Sequence, residues 1–481
     1  MKKHLIIILA LISVLGFCAR PVRYIIKGDP SAVSSFIKGE SAEFIKKVDT
    51  FSIIIMPEIR RAEDLSDLAI EKYGLDLIEK DQLKKVNFIP NDTYYGEYQW
   101  NMKRIGFENY SDISIGDPSV IVAVVDTGID LDHPDLAANL VTGRNLILAD
   151  SEGNLYSPAN PDDDHGHGTH CAGTVGAVAN NNLGVVGVAP GVSIMPIKVL
   201  ADDGYGYDSD IAEGIRWAAD NGADVLSMSI GGGTGTTILA EAVDYAYGKG
   251  CVVIAATGNE GKSSIDYPSL YTNVIAVGAS DYSDGRSSYS NYGEGMDIVA
   301  PGGDPVDGPA NWNNWILSTT IGDYGGSSGT SMACPHVAGA AALLVSLGFT
   351  DPAQVKLLLT STAVDSGDPG YDLETGHGRL DVFNALNVAV LETDPGVKAA
   401  YCFPNPFSGL VNVVYKPEKS GLISFTVFSE FMDKLYSDER EGTAGTNVIF
   451  SWDSVDEVNG VFFLHINGPD GKKTVRGLRI R

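Results

Sequence analysis

Apolar positions in this chain fall into distinct textures. Between residues 121 and 279 they form short continuous runs, at 121–125, 194–200, 224–230, 251–257 and 273–279. Helical patterns lie between or after them, near 209–221, 236–249, 331–347 and 352–363. A continuous apolar run, rather than an alternating one, reads as a parallel strand covered on both faces. Strands alternating with helical stretches predict an α/β fold built on a doubly wound, mostly parallel sheet. Arg379-Leu-Asp-Val-Phe-Asn-Ala-Leu predicts a closing helix.

The flanks read differently. Lys2 and Lys3 precede an apolar run from Leu5 to Phe17, which is too short to span a bilayer and has the form of a signal peptide over residues 1–19. No other apolar run approaches membrane-spanning length. Leu15-Gly-Phe-Cys also resembles a lipoprotein processing site, which would leave Cys18 acylated. Asp49 to Met56 reads as a strand, and Arg61 to Tyr73 as an amphipathic helix stopped by Gly74. After residue 393, Phe403-Pro-Asn-Pro-Phe breaks regular structure. Short alternating runs follow at 411–415, 422–428, 448–452, 461–466 and 474–480, which predict a β-sandwich over 393–481.

At 481 residues the chain exceeds one ordinary domain, and 44% hydrophobic content suffices for a large core. A net charge of −28 opposes a nucleic-acid partner, whose phosphates would be repelled. Cys18, Cys171, Cys251, Cys334 and Cys402 show no zinc-like spacing.

Candidate chemistry collects at the ends of the apolar runs. Val120 to Val125 delivers Asp126 at the carboxyl end of a strand, where open α/β sheets gather their catalytic groups. His167 lies in Asp164-His-Gly-His-Gly-Thr-His, with His170 three residues on as a packing or hydrogen-bonding residue. Ser331 follows a glycine-rich turn and opens a helical segment, with Pro335 in its first turn. A serine hydroxyl needs a base to take its proton, and that base needs a carboxylate to fix its tautomer. Asp126, His167 and Ser331 supply those three types. Asn259, at the end of the run 251–257, offers an amide that can donate to an oxyanion beside the Ser331 N–H.

Asp-Thr-Gly-Ile-Asp at 126–130, His-Gly-Thr-His at 167–170, Gly-Asn-Glu-Gly at 258–261 and Gly-Thr-Ser-Met-Ala-Cys-Pro-His at 329–336 together resemble the signatures of subtilisin-family serine endopeptidases. Pro90-Asn-Asp-Thr-Tyr-Tyr points to the thermitase-like branch; the likeness covers about residues 88–390, and the peptidase domain is expected over 88–392. It implies a triad of Asp126, His167 and Ser331, with Asn259 as oxyanion donor. It also implies that Ser229, Ile230, Gly231 and Gly258 form the backbone edge that receives the substrate. Protein or peptide substrates follow, as does a propeptide over 20–87 that binds the cleft and is cut off between Lys84 and Asn91.

The oxygen-rich loop Val178-Ala-Asn-Asn-Asn-Leu-Gly-Val suits a hard cation such as Ca²⁺. The resemblance assigns structural calcium to Asp92, Asp135, the Asn181 side chain and the carbonyls of Val178, Leu183 and Val185. Asp162, Asp163 and Asp164 are expected as a second, weaker site. Cys171 and Cys334, close to triad members, predict inhibition by mercurials. The C-terminal sandwich resembles type nine secretion sorting domains, which implies contact with secretion machinery; the signal peptide predicts a secreted or cell-surface protein, and a monomer is expected. The competing reading is a non-catalytic surface protein that binds through that sandwich.

Overall fold

The computed structural model describes residues 21–40, 42–57, 69–70, 72–80, 89–149, 152–305 and 311–393, and beyond them 400–403, 410–415, 417, 419–428, 434–443, 448–453, 460–469 and 471–479. The segment expected as a signal peptide, Cys18, most of the helix expected over 61–74 and the stretch 84–88 lie outside the described residues. The chain divides into two compact units, Met1–Val86 and Asn87–Arg481.

In the first unit four antiparallel strands, β1 (Pro21–Gly28), β2 (Glu43–Val48), β3 (Phe51–Pro57) and β4 (Leu75–Lys80), form a sheet in the order β2-β3-β1-β4. One helix, Pro30–Gly39, follows β1. Asp29 caps it by accepting from Ser31 N at 2.9 Å, and Pro30 takes the first helical position, where its missing N–H costs nothing. Tyr24 and Ile26, alternate residues of β1, face Phe36, Ile54 and Leu75 in a small core.

The second unit centres on seven parallel strands: β5 (Ile121–Asp126), β6 (Arg144–Asn145), β7 (Ser193–Lys198), β8 (Val225–Met228), β9 (Val252–Ala256), β10 (Val274–Ser280) and β11 (Ile298–Pro301), in the order β11-β10-β9-β8-β5-β7-β6. Successive residues face opposite sides. Val122 and Val124 join the core under helices His167–Gly176 and Thr330–Ser346, whereas Ala123 and Val125 join the core under Asp208–Asp220 and Thr237–Gly248. Both faces are covered, which is why these strands read as unbroken apolar runs. The doubly wound sheet is therefore present as expected.

Helix Thr330–Ser346 is buried on every side apart from Ser331 and Ser346, the mark of a helix running through a core. Pro335 sits in its second turn rather than its first, because the helix already starts at Thr330. The closing helix begins at Val382, three residues later than the sequence pattern suggests. Arg379 is held in bridges to Val299 and Val364, so the chain is extended there before Asp381 caps the helix through Asn384 N at 2.8 Å.

Beyond residue 400, β14 (Ala400–Phe403), β15 (Leu410–Tyr415) and β18 (Val448–Asp453) form one antiparallel sheet. Strands β16 (Gly421–Phe428), β17 (Lys434–Gly442), β19 (Gly460–Gly468) and β20 (Gly471–Arg479) form another. Alternate residues of both sheets, including Val413, Tyr415, Phe425, Phe450, Leu464 and Ile466, share one core, with Phe425 stacked on Phe450 at 5.1 Å. The polar strand β17 escaped the hydrophobic pattern. It lies at a sheet edge and needs no apolar face of its own. An antiparallel hairpin of β12 (Ile316–Thr320) and β13 (Asp323–Ser327) precedes the helix that carries Ser331.

Candidate active site

Asp126 ends β5 with no exposed surface. Its Oδ1 accepts from Thr127 N at 2.8 Å and lies 2.7 Å from His167 Nδ1, so the histidine proton resides on Nδ1 and leaves Nε2 as the acceptor. His167 opens the helix His167–Gly176 after Gly166, whose φ of +97° permits the turn. Burial favours the neutral ring. The charge and hydrogen bond of Asp126, with help from Asp163, outweigh it and raise the His167 pKa above the ordinary imidazole value.

Ser331 stands in the first turn of its helix, where backbone N–H groups have no intrahelical acceptor. Its hydroxyl donates to Ser229 O at 3.1 Å. The Asn259 side chain is fixed by Thr330, whose N and Oγ1 donate to Asn259 Oδ1 at 2.8 and 3.0 Å. That commits the amide oxygen and turns Nδ2 outward as a donor. A β-carbon at Gly329 would stand 3.6 Å from Ser331 N and 3.7 Å from both Nδ2 and Oδ1 of Asn259, so the two donors flank one point beside Gly329. Thr330, missed in the sequence, carried the weak signal of a small polar residue at a helix start.

His167, Asn259, Thr330 and Ser331 line one cleft of about 670 Å³ together with Ser229, Ile230, Gly231 and Gly258, the expected substrate edge. His165 shares the cleft, yet it is His167 that pairs with Asp126. His170 lies beneath, its Nε2 3.1 Å from the carbonyls of both Ile316 and Gly325, with burial pushing its pKa down to about 4. Cys171 is buried between these layers, its Sγ 3.4 Å from Ser331 O. Its sulfur and ligand atoms of Asp126 and His167 all lie within 4.8 Å of one another. Cys334 points away, toward Ser227 Oγ and Met228 O.

A second residue the sequence pattern left unread is Lys198, at the end of β7 with no exposed surface. Its Nζ donates to Thr127 O at 2.6 Å, Asp164 Oδ1 at 2.7 Å and Leu200 O at 3.0 Å. It thereby ties down the backbone that follows Asp126. A lone charge closing an apolar run was the available signal.

The loop expected to hold calcium wraps around Asp135. Val185 N donates to Asp135 Oδ2 at 3.1 Å, Val178 N to its backbone carbonyl at 2.9 Å, and Asn181 Nδ2 to Oδ1 at 2.6 Å. Asn180 and Asn182 turn the loop at φ of +61° each, a conformation asparagine tolerates. Asp92, 4% exposed, accepts from Asn180 N at 2.9 Å through Oδ2, while its buried Oδ1 has no partner among the described residues. Burial raises the Asp92 pKa against its backbone hydrogen bonds, and the charge of Asp135 adds to the rise. Two buried carboxylates with an orphaned oxygen make a hard oxygen set that fits a divalent cation. The Asn181 amide now points its nitrogen at Asp135, so ligation through Oδ1 requires the amide to turn over.

The second expected cation site is dispersed. Asp163 caps the His167 helix, accepting from His165 N, Gly166 N, Thr169 N and Thr169 Oγ1, and these bonds overcome burial to lower its pKa. Asp164 pairs with Lys198 and Tyr156, and Asp162 accepts from Leu131 N. Three adjacent carboxylates with separate partners do not converge on one ion.

The Subtilase family profile matches residues 117–378. Thermitase of Thermoactinomyces vulgaris is 42% identical over 301 residues, covering 62% of this chain and 99% of that protein. Subtilisin DY of Bacillus licheniformis is 44% identical over 269 residues, covering 55% of this chain and 89% of its own length. Among solved structures, a protease of Pseudoalteromonas arctica matches with a TM-score of 0.54 at 34% identity, covering 62% of this chain and 99% of that one. The epidermin leader peptide processing serine protease of Staphylococcus aureus matches with a TM-score of 0.56 at 25% identity, covering 77% and 99%. The chain belongs to the subtilase family and is a serine endopeptidase with the subtilase fold.

Proposed function

We propose that Ser331 is the nucleophile that cleaves peptide bonds, with His167 as its base and Asp126 as the group that orients and stabilises the charged ring. The observation that carries this reading is the 2.7 Å contact between His167 Nδ1 and Asp126 Oδ1 in a cleft that Ser331 and Asn259 also line. On attack the Ser331 hydroxyl leaves Ser229 O by rotation about one bond and gives its proton to His167 Nε2, while Oγ bonds to the substrate carbonyl carbon. Asn259 Nδ2 and Ser331 N donate to the resulting oxyanion. Collapse breaks the C–N bond, and the leaving amine takes the proton from His167. Water repeats the sequence to free the acid and restore the serine.

Asp92, Asp135, Asn181 and the carbonyls of Val178, Leu183 and Val185 would hold a structural calcium ion, which when bound supplies the charge that two buried carboxylates need. Residues 1–19 act as a signal peptide, 20–87 as a propeptide and 393–481 as a sorting or attachment module, and the enzyme works outside the cell. Among the described residues no helix is long and apolar enough to cross a membrane.

The test is the intact mass of the purified full chain beside its Ser331→Ala variant, with peptide hydrolysis assayed on both. Hydrolysis and release of a fragment ending near residues 84–91 in the wild type only supports the reading. Equal hydrolysis by both proteins overturns it.

A further inference from the structure

One carboxylate in the cleft has no part in the hydrolytic steps. Asp266 is 5% exposed and lines the same cleft as Ser331 and Asn259. It lies between the two backbone stretches of the expected substrate edge. A β-carbon at Gly231 would stand 3.5 Å from Asp266 Cβ, and one at Gly258 would overlap Asp266 Oδ2. Gly258 (φ +100°) directly precedes Asn259, so the carboxylate lies behind the residue that comes just before the oxyanion donor. Its backbone is anchored as well, with Asp266 N donating to Thr257 O at 3.0 Å.

The charge around it is unbalanced. Lys262 Nζ reaches Asp266 Oδ1 at 2.6 Å and Glu260 Oε2 at 3.5 Å, so two carboxylates share one ammonium. Lys262 approaches from solvent, its side chain 43% exposed. The acids Asp203, Asp208, Glu260 and Asp266 all line the cleft, whereas no lysine or arginine does so among the described residues. Asn291 Nδ2 is 3.4 Å from Asp266 Oδ2 but only 3.0 Å from Thr257 O and 2.7 Å from Glu260 Oε2, so its stronger bonds go elsewhere. A buried acid with acceptor capacity to spare is stabilised by a cation brought to it, and low local dielectric strengthens that attraction.

A substrate whose scissile carbonyl oxygen rests against Asn259 and Ser331 starts its side chain within a bond or two of that point. Gly258, which precedes Asn259, borders the cleft there, and Asp266 lies against both Gly258 and Gly231. We propose that Asp266 makes this enzyme select a lysine or arginine immediately before the scissile bond, the side-chain cation joining Asp266 at the floor of the cleft. The proposal rests on the reading of Ser331 as the nucleophile and adds a substrate class to it.

The experiment measures kcat/KM of the full-length enzyme on matched peptide anilides with Lys, Arg, Phe or Leu before the scissile bond, for wild type, Asp266→Asn and Lys262→Met. Wild type is expected to prefer Lys and Arg to Phe by about tenfold or more, and Asp266→Asn to reduce that ratio by at least about tenfold. Lys262→Met, which removes the competing ammonium, raises the ratio. Because each ratio is taken within one preparation, partial loss of folded protein cancels. A wild type that favours Phe or Leu, or a ratio that Asp266→Asn leaves unmoved, overturns the proposal while leaving the Ser331 reading intact. Hydrolysis that persists in Ser331→Ala instead defeats that underlying reading.

Discussion

Ser229 and Ser331 exchange hydrogen bonds: Ser331 Oγ donates to Ser229 O at 3.1 Å, and Ser229 Oγ donates to Ser331 O at 2.7 Å. The second bond exists because residue 335 is proline. An ordinary residue there would supply the N–H that the Ser331 carbonyl accepts in a regular helix. Proline removes it, and Ser229 Oγ with Cys171 Sγ takes its place. Ser229→Ala is expected to destabilise the protein by about 1 kcal/mol or somewhat more, since it strips a carbonyl of its better partner. Urea unfolding checks the figure, and an unchanged midpoint would show that the bond contributes nothing.

The raised pKa of His167 sets an acid limit on activity. The ring must be neutral to take the Ser331 proton, so kcat/KM falls as pH drops through a value above the usual 6.5. Stability carries the opposite sign. A pKa raised on folding contributes stability that is fully present below 6.5 and lost as pH rises through the folded value, so this contribution fades as activity appears. Asp126→Asn removes the dominant favourable charge and is expected to move the His167 titration to lower pH, read by NMR of its ring protons. A titration that does not move would assign the shift to another group.

Lys198→Met breaks three hydrogen bonds and leaves Asp164 without its cation. Asp164 keeps 35% of its side-chain surface, so solvent repays part of the loss. The expected cost is about 2–3 kcal/mol, below that of a fully buried pair. Asp164→Asn in the same background is expected to recover part of it. Additive losses in the double mutant would mean the pair is not coupled.

Chelation is expected to lower the melting temperature, because it leaves Asp92 and Asp135 buried together without a counter-charge. Asp135→Asn should melt at the same temperature with and without chelator. A wild-type melting temperature indifferent to chelator would contradict the calcium assignment.

Mercuric ion is expected to inhibit through Cys171 alone. The thiol lies within reach of the same atoms of His167 and Asp126, whereas Cys334 faces Ser227 and Met228. Burial pushes the Cys171 pKa well up, so modification should be slow and complete only over prolonged exposure. Cys171→Ala is the control, and inhibition that survives it would move the target elsewhere.

The sequence by itself determined the parallel sheet and the four residues on which the proposed chemistry rests. Strands buried on both faces must be unbroken apolar runs, and β5 shows this in Val122 to Val125 before Asp126. Asp126, His167, Asn259 and Ser331 each sit inside a short motif whose local turn or helix start is encoded within a few residues. What only the tertiary structure decided are pairings across long separations. Asp162, Asp163 and Asp164 read as one acidic cluster, yet each turns to a different partner. Pro335 reads as a first-turn residue until the Ser331 carbonyl is seen to find Ser229. Strand β17 carries too little apolar character to announce itself, and Lys198 and Asp266 carry no motif. Such contacts depend on which backbones the packed sheet brings within hydrogen-bond reach, and a hydrogen bond of about 3 Å has no counterpart in the spacing of residues along the chain.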